Sequence, residues 1–149
     1  MKSPSSTAFV RPSAFERMLN GAFGAMVGAG FGLSHNRLLQ VRGRVSGRLY
    51  SAPVNVLELG GKLYLVCPRG RAQWVQNVLA SGKLVLKKGR SQSFAATPVS
   101  DGRKAEILRQ YLDRFSTTVR RFFPVPPGSP AEAFTPYLDR YPVFELTRV

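Results

Sequence analysis

The sequence predicts an α+β fold in which about six short, mostly antiparallel strands form a small barrel with three to four helices around it. Two observations carry this prediction. Several apolar segments are bounded by glycine turns, which is typical of strands joined by short hairpins. Two other segments open with a serine followed three residues later by a glutamate, the spacing of a helix capping box. The chain has 149 residues, enough for one domain with a substantial core.

The start of the chain predicts a flexible segment and then a helix. Residues 1–12 are rich in serine and proline and form the predicted flexible N-terminus, before a single domain over residues 13–149. The capping box of residues 13–16 and apolar residues at helical spacing predict an N-terminal helix within residues 13–33. This helix either packs in the core, covers a ligand pocket or touches lipid.

The middle of the chain predicts two hairpins separated by a helix. Gly60-Gly61 is a two-residue turn, and Pro53 in the strand before it indicates an edge, a bulge or a ligand-facing break. A helix over residues 72–81 should stop at Gly82, because glycine readily adopts the left-handed conformation that ends a helix. Five strands are expected in this part, over residues 38–41, 50–59, 62–67, 83–88 and 91–99.

The C-terminal part predicts two helices and a closing strand. Asp101 is expected to cap a helix that reaches about Phe115, with apolar side chains along one face. The proline-rich loop 122–128 should have no regular structure. The second capping box, residues 129–132, predicts a helix that ends near Asp139, and residues 142–147 would form the last strand.

The charge balance points to an anionic partner. The chain has 22 Lys and Arg against 8 Asp and Glu, and residues 37–90 contain eleven basic residues and one acid, Glu58. Such a field attracts a nucleic acid, an anionic membrane or an anionic ligand. Aromatic and basic residues are not interleaved and no helix-turn-helix pattern is present, so no nucleic-acid partner is expected. An anionic small molecule and peripheral membrane contact through the N-terminal helix remain.

Cysteine and histidine counts exclude several kinds of site. Cys67 is the only cysteine and His35 the only histidine, which rules out an internal disulfide and disfavours a metal site or a Ser-His-Asp triad. No metal is expected, and Cys67 is predicted to be a buried thiol. The apolar run over residues 21–33 is shorter than the ~20 residues that span a bilayer. We expect a cytoplasmic protein, or one peripheral to the inner face of the plasma membrane.

Two glycine-punctuated loops carry the most informative pattern. In the first, Arg44 and Ser46 lie in the turn between two predicted strands. In the second, Arg69 and Gly70 lie between a strand and the helix of residues 72–81, whose first turn offers free N–H groups and a partial positive charge. If the two loops converge, they form a pocket suited to a phosphate or to several carboxylates.

The helix after the second loop adds a flat surface to this pocket. Trp74 and Asn77 are three residues apart and therefore share a helix face. An indole and an amide on one wall suit a flat heteroaromatic ligand with polar edges, although Trp74 taken alone could simply pack in the core.

In combination, these segments resemble the deazaflavin-dependent nitroreductase family of split β-barrels, which is related to the FMN-binding, pyridoxamine-phosphate-oxidase-like barrels. The resemblance runs from about Leu38 to Leu146. It rests on Leu-Gln-Val-Arg-Gly-Arg-Val-Ser-Gly at residues 39–47, Ser-Ala-Pro-Val at 51–54, Tyr-Leu-Val-Cys-Pro-Arg-Gly at 64–70, Trp-Val-Gln-Asn at 74–77 and Arg-Tyr-Pro-Val-Phe at 140–144.

The resemblance implies a binding site for coenzyme F-420, an 8-hydroxy-5-deazaflavin with a phosphate and an oligoglutamate tail; FMN or FAD is less favoured. Arg44, Ser46 and Arg69 would meet the phosphate and tail. The ring would lie along Pro53, Val54, Asn55, Val66 and Pro68, with Gly70, Trp74 and Asn77 completing the cleft. Phe23, Phe123 and Phe134 would line the substrate pocket.

The implied activity is hydride transfer from reduced coenzyme F-420 to a quinone, a nitroaromatic or another conjugated acceptor. Three positions depart from characterised members, which have basic residues where Val45 and Tyr50 stand and a tyrosine where Asn55 stands. The alternative is a binding protein without turnover that carries a flavin, a deazaflavin, haem or a lipid. Such a barrel would be a monomer or a homodimer.

Overall fold

A closed six-stranded antiparallel barrel organises the protein, in the order β1-β2-β3-β6-β5-β4. The structure is a computed structural model and describes residues 36–149. All six predicted strands form, so the predicted split-barrel fold class is confirmed. The strands are β1 (Asn36–Arg42), β2 (Leu49–Leu59), β3 (Lys62–Val66), β4 (Lys83–Lys88), β5 (Arg90–Pro98) and β6 (Val143–Arg148).

Two α-helices occur in this part of the chain. Helix α1 (Gln73–Ser81) ends as predicted at Gly82, which has a φ of 73° and donates its N–H to the carbonyl oxygen of Val78. The N-cap position of helix α2 (Asp101–Val119) is occupied by Ser100, without a side-chain cap, and not by Asp101, which lies in its first turn. The helix also extends beyond the predicted end, although the backbone at Phe115 is locally non-helical.

The second predicted capping box is wrong. Residues Ala131–Arg140 form a 3-10 helix whose N-cap is Pro130, and the hydroxyl of Ser129 instead donates to the carbonyl oxygen of Pro126 at 2.7 Å. Pro136 inside this helix has no N–H to donate, which disfavours a regular α-helix here. A shorter 3-10 helix, Arg120–Phe122, ends at the first residue of the loop 122–128 that the sequence predicted to be irregular.

The pleat of the strands divides the buried side chains into two layers. Alternate residues of β2 and β3 point into the barrel, where helix α1 also packs, while their neighbours point outward to α2 and the C-terminal 3-10 helix. The barrel interior includes Leu39, Val56, Leu65, Cys67, Val75, Val78 and Phe144. The outer layer includes Leu57, Val66, Leu108, Tyr111, Phe123, Phe134 and Tyr141.

The predicted flexible N-terminus, the helix of residues 13–33, Phe23 and His35 lie outside the described residues. Within residues 36–149, no helix is both long and apolar enough to cross a membrane.

The buried thiol of Cys67 should make stability fall at alkaline pH. Burial raises its pKa to about 11, so the unfolded chain loses this proton at lower pH than the folded one. The contribution to stability is therefore complete below the ordinary thiol pKa and is lost as pH rises towards about 11. We expect the free energy of unfolding to fall by about 1 kcal/mol between about pH 8 and pH 10 through this group.

Urea unfolding across this pH range measures the effect, with Cys67→Ala as the comparison. The variant should be less stable at neutral pH, yet its stability should decline less between the two pH values. Equal declines for the variant and the parent protein would show that the thiol does not carry the effect.

Candidate functional site

The first basic loop is a tight hairpin between β1 and β2. The N–H of Gly43 donates to the carbonyl oxygen of Arg48 at 2.7 Å, and the N–H of Gly47 donates to the carbonyl oxygen of Gly43 at 3.0 Å. Gly47 has a φ of 74°, which favours glycine at this position. The hydroxyl of Ser46 accepts the N–H of Arg48 at 3.2 Å and lies 3.4 Å from the hydroxyl of Tyr50. These bonds fix the hairpin and present Arg44 beside helix α1.

A buried amide joins this hairpin to helix α1. The Oδ1 atom of Asn77 accepts two hydrogen bonds from Arg44, one from the backbone N–H at 3.0 Å and one from Nη1 at 2.8 Å. Asn77 is 3% exposed, so its amide would be costly to bury without such partners. The first loop and the helix that follows the second loop are therefore in direct contact.

The second basic loop turns the chain from β3 into helix α1. The N–H of Cys67 donates to the carbonyl oxygen of Pro142, and the N–H of Gly70 donates to the carbonyl oxygen of Cys67 at 3.2 Å. Gly70 has a φ of 97° and is buried, so a side chain here would strain the backbone. The N-cap residue Ala72 has no side-chain cap and the first turn of α1 has no acidic residue.

Arg44 contacts Asn77, whereas Arg69 contacts the ring of Phe122. The guanidinium of Arg69 lies 4.7 Å from the centre of the Phe122 ring. The guanidinium of Arg121 lies 4.5 Å from the centre of the same ring. Tyr141 adds a hydrogen bond from its hydroxyl to the carbonyl oxygen of Phe122 at 2.6 Å. Sequence reasoning missed Phe122, because a half-buried ring in a proline-rich loop carries no periodic signal. A shared contact of Arg44 and Arg69 with one ligand stays a prediction.

The strand between the two loops is open on one side. Residues 49–55 of β2 pair with β1, whereas β3 pairs only with residues 56–59. No described strand pairs with the second edge of residues 49–55, which contains the predicted Pro53. The proline thus lies at an edge, as the sequence indicated. Ligand groups could hydrogen-bond to the backbone along this edge.

Neighbouring residues of this open stretch face different layers. Val54 packs against the barrel interior, as does half-buried Trp74, whose ring centre lies 6.2 Å from that of Phe144. Asn55 points to the outer layer, where its Oδ1 atom accepts a hydrogen bond from Asn36 Nδ2 at 2.9 Å. Its side chain also hydrogen-bonds the hydroxyl of Tyr111.

The partners of Asn55 were not predicted. Tyr111 lies on the apolar face of α2, where its spacing does not distinguish it from a core residue. Burial raises the pKa of Tyr111 above its ordinary value, so this phenol stays protonated at neutral pH. Asn55 is therefore held by a protonated tyrosine and a second amide.

Three predicted contact residues offer little side-chain surface. Val66 is 2% exposed and Phe134 1%, and both pack in the outer layer. Phe123 is buried there too, stacked on Tyr141 with ring centres 4.5 Å apart. The two phenylalanines thus form core rather than an open substrate pocket, because the 3-10 segments fold them under α2. Among residues 36–149, no three His, Cys, Asp or Glu side chains are grouped to hold a metal ion.

Comparison with known families identifies this chain. The family model for F-420-H(2)-dependent quinone reductase matches residues 14–121. The chain belongs to this family. The resemblance to deazaflavin-dependent reductases is confirmed, and the chain is a member of an oxidoreductase family named for its use of reduced coenzyme F-420. The match includes both basic loops, the open stretch of β2 and helix α1.

Solved structures with the same fold support the assignment of the barrel. An F-420-H(2)-dependent reductase aligns with a TM-score of 0.53 and 14% identity over 76% of this chain and 95% of its own. A candidate pyridoxamine 5′-phosphate oxidase from Listeria innocua has a TM-score of 0.52 and 12% identity, covering 87% and 93%. The haem storage protein HutZ from Vibrio cholerae has a TM-score of 0.54 and 9% identity, covering 90% and 89%. No curated protein matches the sequence.

Removing the amide of Asn77 should loosen the hairpin of this reductase-family chain. We expect Asn77→Ala to lower the free energy of unfolding by about 1–2 kcal/mol, because Arg44 loses its acceptor and a buried site loses its hydrogen bonds. Amide hydrogen exchange of residues 43–48 should become faster, as measured by mass spectrometry.

Gln76→Ala is the matched control on the same helix, because Gln76 is half-buried and its side chain points about 100° away from that of Asn77 around the helix axis. It should leave exchange of the hairpin unchanged. If Asn77→Ala also left this exchange unchanged, the amide would not be what holds the hairpin.

Proposed function

We propose that the protein binds reduced coenzyme F-420 across the open edge of β2 and transfers a hydride to a conjugated acceptor, with quinones as the leading class. The observation that carries this proposal is the double hydrogen bond from Arg44 to Asn77. It brings the first basic loop onto the helix that follows the second one, beside an edge that no described strand covers. The family match supports the choice of coenzyme.

The residues present suit the anionic part of the coenzyme. Arg44 is exposed and hydrogen-bonds to an amide, and no acid among residues 36–149 forms an ion pair with it. Helix α1 has no side-chain cap, which leaves N–H groups of its first turn available to an anion. Together with Ser46 and Arg69, these groups would hold the phosphate and the carboxylates of the tail.

The same strip of structure suits a flat heterocycle. Val54 and half-buried Trp74 offer apolar surface on the face of β2 that packs against the barrel interior, and Pro53 offers apolar surface on the opposite face of the same free edge. Gly70 has a φ of 97°, so a side chain here would strain the loop that leads into α1. We infer that the ring lies along residues 53–55, with Pro68 and Asn77 at its ends and Val66 contributing only backbone.

The protein's own part in the reaction is binding and orientation. When bound, the reduced deazaflavin supplies the hydride. The chain must then hold the donor and acceptor carbons ~3–3.5 Å apart and exclude water from between them. Cys67 stays a neutral thiol because burial raises its pKa to about 11, so it takes no covalent role. Tyr111 keeps its proton and holds the Asn55 amide in one orientation. The proton that completes the reduction comes from water or from a tyrosine.

The second candidate function is that of a carrier without turnover, binding a deazaflavin, a flavin, haem or a lipid. It is favoured by the burial of Phe123 and Phe134, which leaves no open aromatic pocket for an acceptor at these two residues. Steady-state oxidation of reduced coenzyme F-420 with menadione separates the two functions. Oxidation well above the rate without protein supports the reductase, whereas tight binding without such turnover supports the carrier.

The role of Arg44 is tested by titrating coenzyme F-420 into Arg44→Ala and following quenching of coenzyme fluorescence. We expect the dissociation constant to rise about tenfold or more, since a charge-assisted hydrogen bond contributes about 1.5–3 kcal/mol. The loss should shrink at high salt, because screening weakens the contribution of the exposed charge in the parent protein.

Arg90→Ala is the control, because Arg90 is an exposed arginine at the start of β5. Its dissociation constant should stay near that of the parent. Equal weakening in both variants would mean that net charge, and not the site, governs binding. Absence of binding to the parent protein at micromolar concentration, with FMN and FAD also negative, would reject the proposed cofactor.

A further inference from the structure

The hairpin between β1 and β2 has an apolar tip exposed to solvent. Five large hydrophobic residues of the described chain are exposed, and three of them lie in this hairpin: Val45 at 92% in the turn, and Leu49 at 50% and Tyr50 at 44% at the start of β2. The other two, Leu79 and Val149, lie elsewhere in the chain. Scattered exposed apolar residues are ordinary, but three close together in one hairpin indicate a contact surface. We call residues 42–50 the hairpin tip.

The hairpin tip is also purely cationic. Arg42, Arg44 and Arg48 are all exposed, and the sequence contains no acid between Glu16 and Glu58. None of the ion pairs recorded for the described residues involves these three arginines. Arg42 donates to the carbonyl oxygen of Gly47 at 3.3 Å, which keeps its charge at the base of the turn.

Hydrogen bonds hold the hairpin tip in one conformation. Two backbone hydrogen bonds, between Gly43 and Arg48 and between Gly47 and Gly43, close the turn. Two hydrogen bonds from Arg44 to the amide oxygen of Asn77 also hold the turn on helix α1. A preorganised tip loses little conformational entropy when it enters a new environment. The exposed Val45 is therefore presented outward at small cost.

We propose that the hairpin tip docks on an anionic lipid bilayer, with Val45 and Leu49 entering the boundary between headgroups and acyl chains. Arg42 and Arg48 would lie at the depth of the lipid phosphates, where each basic residue adds to the attraction of an anionic surface, while Arg44 stays on Asn77. Tyr50 would lie at the interface, with its ring in apolar surroundings and its hydroxyl on Ser46. A nucleic acid would use the arginines but leave Val45 and Leu49 in water, so the bilayer accounts for more of the surface.

This contact is separate from the one expected of the N-terminal helix, and it does not depend on the proposed cofactor. If the proposed function also holds, docking brings the open edge of β2 near the membrane. An apolar acceptor dissolved in the bilayer would then reach the site with a short path through water.

The first experiment places a reporter at the hairpin tip. The chain contains one tryptophan, Trp74, which is half-buried. Val45→Trp adds a second tryptophan at a site that is exposed to solvent. With vesicles of equal parts phosphatidylcholine and phosphatidylglycerol, we expect its emission to shift to shorter wavelength. Phosphatidylcholine vesicles should give no shift. Leu79→Trp, at an exposed site on α1, is the control and should not respond.

The second experiment measures vesicle co-sedimentation of the full chain. Val45→Asp should lower the apparent partition coefficient about tenfold, because it replaces an inserting side chain by a charge that anionic lipid repels. Val149→Asp adds the same charge at another exposed apolar residue and should have a much smaller effect. Thermal unfolding of both variants verifies the fold, and titration of the parent protein with coenzyme F-420 reports on the proposed function independently.

Three results would overturn the docking proposal: equal spectral response of the two tryptophan variants, equal loss of vesicle binding in the two aspartate variants, or binding of a DNA oligonucleotide that Val45→Asp leaves unchanged while vesicle binding is absent. A shift confined to Val45→Trp, with partition lost in Val45→Asp alone, would support it.

Discussion

The two hydrogen bonds from Arg44 to the amide oxygen of Asn77 are the interaction on which the candidate site depends. They connect residues 33 positions apart in the sequence. Without them, the hairpin would be fixed to the barrel chiefly by the ladder between β1 and β2. With them, a cationic turn, a helix N-terminus and an open strand edge belong to one region of the molecule. A buried amide serves this purpose well, because it accepts from a cation without neutralising its charge.

The pleat of β2 decides what each residue of the open edge can do. Val54 faces the barrel interior and Asn55 faces the outer layer, so their side chains cannot serve the same face of a flat ligand. Asn55 is committed to Asn36 and Tyr111, which gives it a fixed orientation rather than freedom to follow a substrate. The exposed part of the site is therefore backbone, proline and indole. Such a surface binds and orients, and the reactivity comes with the coenzyme.

Charge organises the outside of the same region. The exposed arginines of the hairpin tip have no carboxylate partner in the described chain, so the turn keeps a strong positive field. By contrast, two acids elsewhere in the described chain are paired: Glu145 on β6 with Lys62 and Arg103, and Glu106 on α2 with Arg109. The positive charge of the hairpin tip is therefore available to an anionic ligand and an anionic surface alike.

The sequence predicted those parts of the fold that local patterns encode. Strand alternation and the Gly60-Gly61 turn gave the hairpins, and Gly82 ended helix α1 where the left-handed conformation was expected. Failures came where tertiary contacts override local signals. The hydroxyl of Ser129 donates to the carbonyl oxygen of Pro126 instead of capping a helix, Pro136 disfavours an α-helix there, and the N-cap position of α2 is Ser100 and not Asp101.

The candidate site was predictable in its residue types but not in its contacts. Glycine and arginine spacing indicated two anion-binding turns, and the shared face of Trp74 and Asn77 placed them on one helix. That Asn77 would hold Arg44 depends on the packing of distant segments, which spacing does not contain. The sequence pattern also could not show whether the phenylalanines proposed for the substrate pocket line a pocket or pack in the core, since both kinds of phenylalanine have the same sequence signature.

The most direct measurement is a hydrogen-exchange footprint of the coenzyme on the full chain. If one site is formed by the linked loops, saturating coenzyme F-420 should slow exchange together in residues 43–48, in residues 53–55 and in residues 67–77, with the same concentration dependence. Protection confined to the turn between β4 and β5, or to only one of the three segments, would contradict a single site built on the contact between Arg44 and Asn77.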